Sequence, residues 1–498
     1  MANLKSLAKD TAIYGLSSII GRFLNYLLVP LYTAKLSAAS GGYGVITNVY
    51  AYTALLLVIL TYGMETTFFR FANKEGEDPN TVYGTTLKTV GATSLMFIAL
   101  VLLFLPGISG WMGYSAHPEY VGVMATVVAL DAFQCIPFAY LRYQRKPIKF
   151  ATLKLLFIFL NIGLNLLYFV ALPAIYKSHP GAVSAIYDPT VGVGYAFFIN
   201  LACTGLITFC FWKELKGFAY KFDRALLRRM LGYSWPILVL GIAGILNQTF
   251  DKMAFPKIYN DPAGAQSQLG IYGAATKIAM IMALITQAFR YAYEPFVFGK
   301  SKDKDNRETY AQAMRYFIIF TLFAFLTVMA WIDLFKYIIA PDYWSGLKVV
   351  PIVMAAEIMM GIYFNLSFWY KLIDKTIWGA WFSGIGCAVL ILVNIIFVPK
   401  YGYIACAWGG FAGYGVAMVL SYFVGQKYYP IRYPMRDIAI YVVLAAVLFA
   451  TMMLPVGNVW IAFAFRTVLL LLFFGVIYRK EHMGKMFAKL PVVGRFFK

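Results

Sequence analysis

Four ionisable side chains lie near the middle of long apolar segments, namely Arg22, Asp131, Lys277 and Glu357. A charge at the centre of a membrane helix costs about 2.5–3.5 kcal/mol on insertion scales, so such side chains usually face a partner or a cavity. A buried base can bind an anionic group, whereas a buried carboxylate can load and release a cation. These residue types therefore indicate transport of an ion or an anionic molecule.

Arg22 has the most informative neighbours. At about 100° per residue, its helical face also includes Thr11, Gly15, Ser18 and Asn25, a small and polar stripe on an otherwise apolar helix. The stripe fits either a tight helix–helix contact or the lining of a cavity. Because the stripe contains an arginine, we favour the cavity and expect Arg22 and Asn25 to contact the substrate.

A second polar stripe lies on the apolar segment around residue 248. Asn247, Gln248 and Asp251 share one helical face there. An offset of 226 residues aligns Gln248 with Arg22, and the same offset aligns Asp251 with Asn25. We therefore expect Asn247 and Gln248 to contact the substrate too, with an acid in this half where the first half has a base.

The other membrane charges allow two interpretations each. Lys277 is either an anion contact or the partner of a buried acid such as Asp251 or Glu357. Acids within spans either pair with a base or couple transport to a cation. The candidates for ion coupling are Glu65, Asp131, Asp251 and Glu357.

Two arginines, Arg70 and Arg290, lie within a turn or two of a span end. There a long basic side chain usually extends its charge to the membrane interface. Contact with an anionic substrate is the alternative, and both residues are candidate substrate contacts.

The composition requires a membrane around these residues. Of 498 residues, 61% are hydrophobic and 13% are charged, and the mean hydropathy is +0.70. A transmembrane helix needs about 20 apolar residues, so an α-helical membrane protein of this length leaves no room for a soluble enzyme domain. The net charge of +21 comes largely from short loops, so it reflects membrane topology, and we expect no nucleic-acid partner.

The motifs for cofactors are incomplete. The three histidines lie far apart and the five cysteines fall in apolar stretches, so we expect neither a metal site nor a disulfide framework. Residues 299–301 resemble the end of a nucleotide-binding loop, but Glu294 stands where its first glycine is required. We predict no enzyme activity and no cofactor, with H⁺ or Na⁺ as the candidate coupling ion.

Fourteen predicted spans position the candidate residues. Polar, proline or glycine residues separate them, and an even number places both termini on one side of the membrane. The spans lie near residues 11–36, 45–71, 82–106, 119–141, 150–172, 191–212, 226–256, 269–294, 311–334, 346–371, 376–397, 402–424, 438–454 and 457–478.

Lysine and arginine are distributed unequally between the two sides of these spans. The side that carries the N-terminus has 28 basic residues in its loops and tails, and the opposite side has five. Because basic residues are retained on the cytoplasmic side, we predict that both termini are cytoplasmic.

This topology predicts which positions are accessible from outside the cell. In a chain whose five native cysteines are replaced, a cysteine introduced at Ser178 or Ser345 should react with an impermeant thiol reagent in intact cells. A cysteine at Lys300 should not react. Reaction at position 300 but not at position 178 would show that the topology is inverted.

The breakers of the first and seventh spans indicate an internal repeat. Pro30 and Pro256 end these spans, and Gly44 and Gly270 begin the next ones, again at an offset of 226 residues. We predict two six-helix lobes related by a pseudo-twofold axis along the membrane normal, an arrangement that commonly places a substrate cavity between the lobes. The predicted divisions are an N-terminal lobe at 1–212, a basic cytoplasmic linker at 213–229, a C-terminal lobe at 226–424, two extra helices at 438–478 and a basic cytoplasmic tail at 479–498.

Four short motifs resemble those of a known family. They are residues 9–16 (KDTAIYGL), 28–33 (LVPLYT), 42–44 (GYG) and 269–272 (LGIY). They resemble the bacterial polysaccharide transporters, which are the O-antigen and capsule repeat-unit flippases of the multidrug/oligosaccharidyl-lipid/polysaccharide (MOP) superfamily. Residues 40–42 depart from the family pattern, because Ser-Gly-Gly replaces its usual acidic residue and the adjoining positions.

The resemblance implies a translocase for an undecaprenyl-pyrophosphate-linked oligosaccharide in the bacterial cytoplasmic (inner) membrane, working by alternating access of two lobes. It also implies membrane lipids, a polysaccharide polymerase and chain-length proteins as partners, and we expect a monomer. A lipid II flippase and a cation-coupled multidrug exporter of the same superfamily are alternatives, although the exporter predicts twelve spans and an acidic cavity. A membrane scaffold or a glycosyl polymerase is a further alternative, but a polymerase predicts a large outer loop with arginines, and the predicted outer loops have none.

Overall fold

The computed structural model describes residues 26–300, 306–373 and 375–481. All regular secondary structure in these residues is helical, and twelve helical segments, some of them made of two adjoining helices, are long and apolar enough to cross a membrane. The sixth predicted span is a further apolar helix of 17 residues, Gly194–Cys210. The first span is represented by its end, Leu28–Lys35. The predicted all-α membrane fold is confirmed, and helices lie at the predicted positions of the second to fourteenth spans.

The chain packs into two compact units, which divide between Gly273 and Ala274. This division reflects how tightly the residues pack together. The predicted six-helix lobes are defined by symmetry instead, and they stay a prediction. The first-unit α-helices of seven or more residues are α1 (Leu28–Lys35), α2 (Gly42–Thr61), α3 (Met64–Ala72), α4 (Pro79–Leu103), α5 (Leu105–Met112), α6 (Pro118–Tyr143), α7 (Pro147–Leu166), α8 (Leu172–Ser178), α9 (Gly194–Cys210) and α10 (Arg224–Ile258). Helix α11 (Pro262–Lys300) begins in the first unit and ends in the second. The other second-unit α-helices of seven or more residues are α12 (Asn306–Ala330), α13 (Val350–Leu366), α14 (Ile377–Tyr401), α15 (Tyr403–Tyr428), α16 (Met435–Met452) and α17 (Val459–Lys480).

The second predicted span is one apolar segment but two helices. Tyr62 and Gly63 separate α2 from α3, and both have left-handed backbone angles, with φ of 33° and 72°. A Cβ atom on Gly63 would lie 2.9 Å from Ile237 of α10, so the position requires glycine for space as well as for conformation. After the break, Met64 and Phe68 join a fully buried cluster with side chains of α4, α6 and α10.

The ends of the first-unit helices meet in two groups, as the alternation of spans requires. At one end, the Tyr114 hydroxyl lies 2.8 Å from Asn48 Oδ1 of α2 and 3.3 Å from Gln266 Nε2 of α11. At the other end, Lys149 of α7 pairs with Glu214, which follows α9, at 2.6 Å. Successive spans cross the membrane in opposite directions, so every second connection should lie on the same side. The connections that should share a side do lie together.

The last two helices attach to α12 through ion pairs near both of its ends. Arg315 of α12 pairs with Glu481, just after α17, and lies 3.8 Å from a carboxylate oxygen of Asp437 of α16. Near the other end, Arg466 of α17 pairs with Asp333, which follows α12, at 2.7 Å. The Glu481 side chain is 3% exposed, and removing one partner of a buried pair is strongly destabilising. Helices α16 and α17 are therefore integral parts of the second unit.

Asp333 predicts a pH dependence of the stability of the second unit. Burial raises its pKa, but the hydrogen bond and charge of Lys336 and the charge of Arg466 outweigh burial and hold the pKa below its usual value. A carboxylate of this kind stabilises the folded state above its unfolded pKa of about 3.9, and the contribution is lost as the pH falls through the folded pKa. We expect Asp333→Asn to lower the thermal unfolding temperature at neutral pH and to flatten its fall below about pH 4.

The control for this prediction is Asp342→Asn, which removes the same charge from an exposed position in the same connection. Unfolding temperatures are measured between pH 3 and pH 7 for both variants. Curves for wild type and Asp333→Asn that coincide would contradict the stabilising role of Asp333.

Candidate functional site

The predicted site residues fall into three groups. Arg22 and Asn25 lie outside the described residues. The others belong to one unit each and are described within that unit. Those of the first unit are Glu65, Arg70, Asp131, Asn247, Gln248 and Asp251, and those of the second unit are Lys277, Arg290 and Glu357.

Asp251 on α10 is the most buried of the predicted acids, with 6% of its surface exposed. Its carboxylate accepts a hydrogen bond of 2.7 Å from the hydroxyl of Tyr272, the last residue of the 269–272 motif. The Nζ of the adjacent Lys252 lies 3.0 Å from both carboxylate oxygens. Asp251 therefore has one neutral and one charged partner, and its charge is compensated within the first unit.

The rest of the predicted polar stripe on α10 has different surroundings. Asn247 is half-buried, and its amide donates to the carbonyl of Ala243 at 3.1 Å. Gln248 is exposed. The stripe therefore extends from the buried face of α10, at Asp251, to its exposed face.

A polar network missed by the sequence analysis adjoins Asp251. Asn48 on α2 is 1% exposed, and its amide donates to the carbonyl of Lys252 at 2.7 Å. The Asn48 carbonyl accepts from the Tyr114 hydroxyl, which in turn accepts from Gln266 of α11. The one signal in the sequence was Asn48 itself, an amide within an apolar span. This network fixes α2, α10 and the start of α11 to one another beside the buried acid.

Two glycines bring α2 and α11 into backbone contact next to this network. A Cβ atom on Gly44 would lie 2.7 Å from the carbonyl carbon of Gln266 and would overlap its oxygen. A Cβ atom on Gly270 would lie 2.9 Å from the backbone nitrogen of Gly44. The two glycines that the 226-residue offset aligns are therefore in direct contact, and side chains at either position would force the helices apart.

Glu65 and Arg70 lie on α3, just after the break in the second span. Glu65 pairs with Arg142 at the end of α6. Pairing with a neighbouring base was one of the two interpretations of this acid. The Arg70 guanidinium lies 4.1 Å from the centre of the Tyr233 ring of α10, a cation–π contact, and Arg70 is exposed.

A second acid–base pair lies deeper in the first unit. Asp131 of α6 is half-buried, hydrogen-bonds Thr204 of α9 and interacts electrostatically with Lys154 of α7. The Lys154 ammonium lies 3.9 Å from the centre of the Phe138 ring and also interacts with Glu65. Acids and bases are therefore neighbours at two places between α3, α6, α7 and α9.

Amide and hydroxyl side chains continue this polar interior. The Asn200 amide donates to the Tyr50 hydroxyl at 2.6 Å, and the Tyr32 hydroxyl donates to Asn165 Oδ1 at 2.7 Å. Asn165 also bonds to Asn161 one turn earlier on α7. These pairs were missed, although asparagines four residues apart in an apolar segment were a visible signal.

The predicted residues of the second unit are all half-buried. The Arg290 guanidinium lies 4.9 Å from the centre of the Phe364 ring of α13. Lys277 is on α11 and Glu357 is on α13. In the part of the chain that the structure describes, no three histidine, cysteine or acidic side chains lie close enough to hold a metal ion.

These observations define a class of protein: a multi-span helical membrane protein that buries acids, bases and amides between its helices, as membrane transporters do. Solved transporters have this fold. The lipid II flippase MurJ in an inward closed conformation matches with a TM-score of 0.70 and 16% identity, over 94% of this chain and 99% of that chain. An inward-facing MATE-family multidrug resistance transporter of the MOP superfamily matches with a TM-score of 0.61 and 15% identity, over 81% of this chain and 93% of that chain.

A family model assigns the chain more specifically. The model for the family described as polysaccharide biosynthesis protein matches residues 7–290, which is more than half of the chain. The chain belongs to this family, and the resemblance based on the four short motifs is confirmed. The sequence matches none of the curated proteins.

Proposed function

We propose that the protein is a flippase that moves an undecaprenyl-pyrophosphate-linked oligosaccharide across the bacterial cytoplasmic membrane by alternating access. The observation that carries this proposal is the match of residues 7–290 to the polysaccharide biosynthesis family in a chain built of membrane helices. The described residues lie almost entirely in such helices and their connections. We therefore place the role of this protein in polysaccharide synthesis at a step that takes place within the membrane. In the proposed orientation both termini are cytoplasmic. The translocated product would then lie in the outer leaflet, where a polymerase and chain-length proteins would use it.

In this proposal, basic side chains bind the pyrophosphate and amides bind the sugars. A guanidinium suits the first role, since it offers two directed hydrogen bonds to phosphate oxygens. The proposed substrate contacts are Arg22, Asn25, Arg70, Asn247, Gln248, Lys277 and Arg290.

The proposed coupling residue is Asp251. A cation bound at any of the three acids of the first unit would displace a positive partner, which is Arg142 at Glu65, Lys154 at Asp131 and Lys252 at Asp251. Asp251 is the most buried of the three, with 6% of its surface exposed, and it also accepts a hydrogen bond from the Tyr272 hydroxyl, so a cation there would be the best shielded from water. Glu357 is the candidate of the second unit.

Arg22 is the proposed pyrophosphate contact with the strongest sequence context. We expect Arg22→Ala to lower transport by about one to two orders of magnitude, because a charge-assisted hydrogen bond is lost, and Arg22→Lys to keep partial activity. Transport is measured in proteoliposomes with matched protein content. If Arg22→Ala combined with neutralisation of Glu65 or Asp251 restored wild-type transport, Arg22 would be a structural counter-ion instead.

A lipid II flippase is the second candidate, favoured by the match to MurJ over 94% of this chain. A multidrug exporter is less favoured, since the MATE match covers 81% of this chain.

Reconstitution separates these functions. The purified chain is placed in proteoliposomes with a lipid-linked oligosaccharide, lipid II or a cationic dye, each under imposed H⁺ and Na⁺ gradients. Exchange between leaflets is followed with an impermeant quencher, and liposomes without protein are the control. Movement of the lipid-linked oligosaccharide supports the proposal. Movement of lipid II alone, or of the dye alone, would replace it with the corresponding alternative.

A further inference from the structure

A cavity of about 520 Å³ lies where the end of α6, the start of α7 and the segment after α9 meet. Four lysines line it: Lys146, Lys149, Lys213 and Lys216. Lys149 is neutralised, because its Nζ lies 2.7 and 2.6 Å from the two carboxylate oxygens of the buried Glu214. The other three lysines have no acidic partner among the described residues. Three exposed lysines without an acidic partner among the described residues therefore line one cavity.

The wall of this cavity is held in place by α4. The Tyr83 hydroxyl donates to the carbonyl of Glu214 at 3.0 Å, and the Lys88 ammonium donates to the carbonyl of Tyr220 at 2.7 Å. A Cβ atom on Gly217 would overlap the Tyr83 ring, so the segment lies directly against this helix. The cavity is therefore preformed, and its lysines are not spread along a free loop.

An apolar surface adjoins the lysines. A second cavity of about 500 Å³ shares Lys146 and Lys149 and is also lined by Ile148 and Leu153. Ile148 is 75% exposed, and Trp212 of the first cavity is 70% exposed. In a membrane-spanning chain, large apolar side chains exposed at helix ends lie at the membrane interface. A ligand with an anionic head and apolar chains would contact both cavities at once.

We propose that this pair of cavities binds an anionic phospholipid of the surrounding membrane, with its phosphate among the lysines and its acyl chains along the exposed Ile148 and Trp212. Basic pockets between membrane helices bind anionic lipid head groups through the same attraction. A free phosphate would use the lysines but would have no reason to lie beside the apolar cavity. The predicted topology places the site in the cytoplasmic leaflet. The proposal does not depend on which substrate the protein transports.

Retention of basic residues on one side of the membrane does not account for this arrangement. That tendency determines how many basic residues a loop carries, not where their side chains meet. Lys221, Arg224 and Arg228 belong to the same connection and the start of the next helix, yet they do not line the cavity. Replacing these three residues removes as much positive charge as replacing the three unpaired lysines of the cavity, so they serve as a control.

The test uses the full-length protein in detergent, titrated with phosphatidylglycerol, with phosphatidylcholine as the neutral comparison. Lipid binding is measured by native mass spectrometry, and folding by thermal unfolding without added lipid. The site variant combines Lys146→Gln, Lys213→Gln and Lys216→Gln. The charge-matched control combines Lys221→Gln, Arg224→Gln and Arg228→Gln. A third variant replaces the three site lysines with arginine, which keeps the charge.

Wild type, the control and the arginine variant should bind phosphatidylglycerol with similar affinity, and the site variant about a hundredfold more weakly. Phosphatidylcholine should show no saturable binding. Equal weakening in both glutamine variants would overturn the proposal, because it would reflect overall charge. Saturable binding of undecaprenyl diphosphate or inorganic pyrophosphate without binding of phosphatidylglycerol would also overturn it, because the phosphate would then come from another source.

Discussion

Replacing Gly44 with alanine is expected to destabilise the protein by about 1–3 kcal/mol and to stop transport. The added Cβ atom would lie 2.7 Å from the carbonyl carbon of Gln266 and would overlap its oxygen. Both are backbone atoms of α11, which cannot rotate away as the end of a side chain can. Helices α2 and α11 would therefore separate, and the hydrogen bonds of Asn48, one turn further along α2, would be disrupted with them.

Gly42→Ala is the matched control for this prediction. Gly42 lies two residues earlier on the same helix, and its added Cβ atom would meet Leu36 at 3.4 Å, which is ordinary van der Waals contact. We expect this variant to resemble wild type in thermal unfolding and in leaflet exchange in proteoliposomes. If Gly44→Ala behaves like Gly42→Ala in both measurements, the close contact between α2 and α11 is not part of the working protein.

Much of the fold could be predicted from hydropathy, because each span needs about 20 apolar residues to cross the lipid, whereas the connections between spans are polar. The break between α2 and α3 could not be predicted in this way. A glycine within an apolar run is also compatible with a continuous helix. The need for Gly63 comes from Ile237 of α10, which is distant in sequence.

The candidate site was only partly accessible from the sequence. The 226-residue offset aligned Gly44 with Gly270, and the structure places them in contact. The partner of Glu65 could not be named, since nothing in the sequence brings Arg142 to α3. Tyr114 was missed because a single tyrosine outside a helix forms no periodic pattern, and its role depends on packing around Asn48.

Replacing Asp251 with alanine is expected to destabilise the protein by about 3 kcal/mol, because removing one partner of a buried ion pair leaves the other charge uncompensated. The carboxylate is almost completely buried, whereas the Lys252 side chain is 22% exposed, which favours the lower end of the usual range. Tyr272→Phe removes one hydrogen bond to the carboxylate and should cost about 1.5–3 kcal/mol. Unfolding of both variants is measured thermally in the same detergent.

Asp251→Asn separates a structural role of this acid from the proposed role in coupling. The amide keeps an acceptor for the Tyr272 hydroxyl but carries no charge, so it cannot bind a proton or a sodium ion as a carboxylate does. If Asp251 couples transport to a cation, this variant should lose the dependence of leaflet exchange on the imposed gradient, while Tyr272→Phe, which keeps the carboxylate, should retain it. Unchanged gradient dependence in Asp251→Asn would leave Asp251 as the structural partner of Lys252 and Tyr272, and the coupling residue would have to be sought among the other acids.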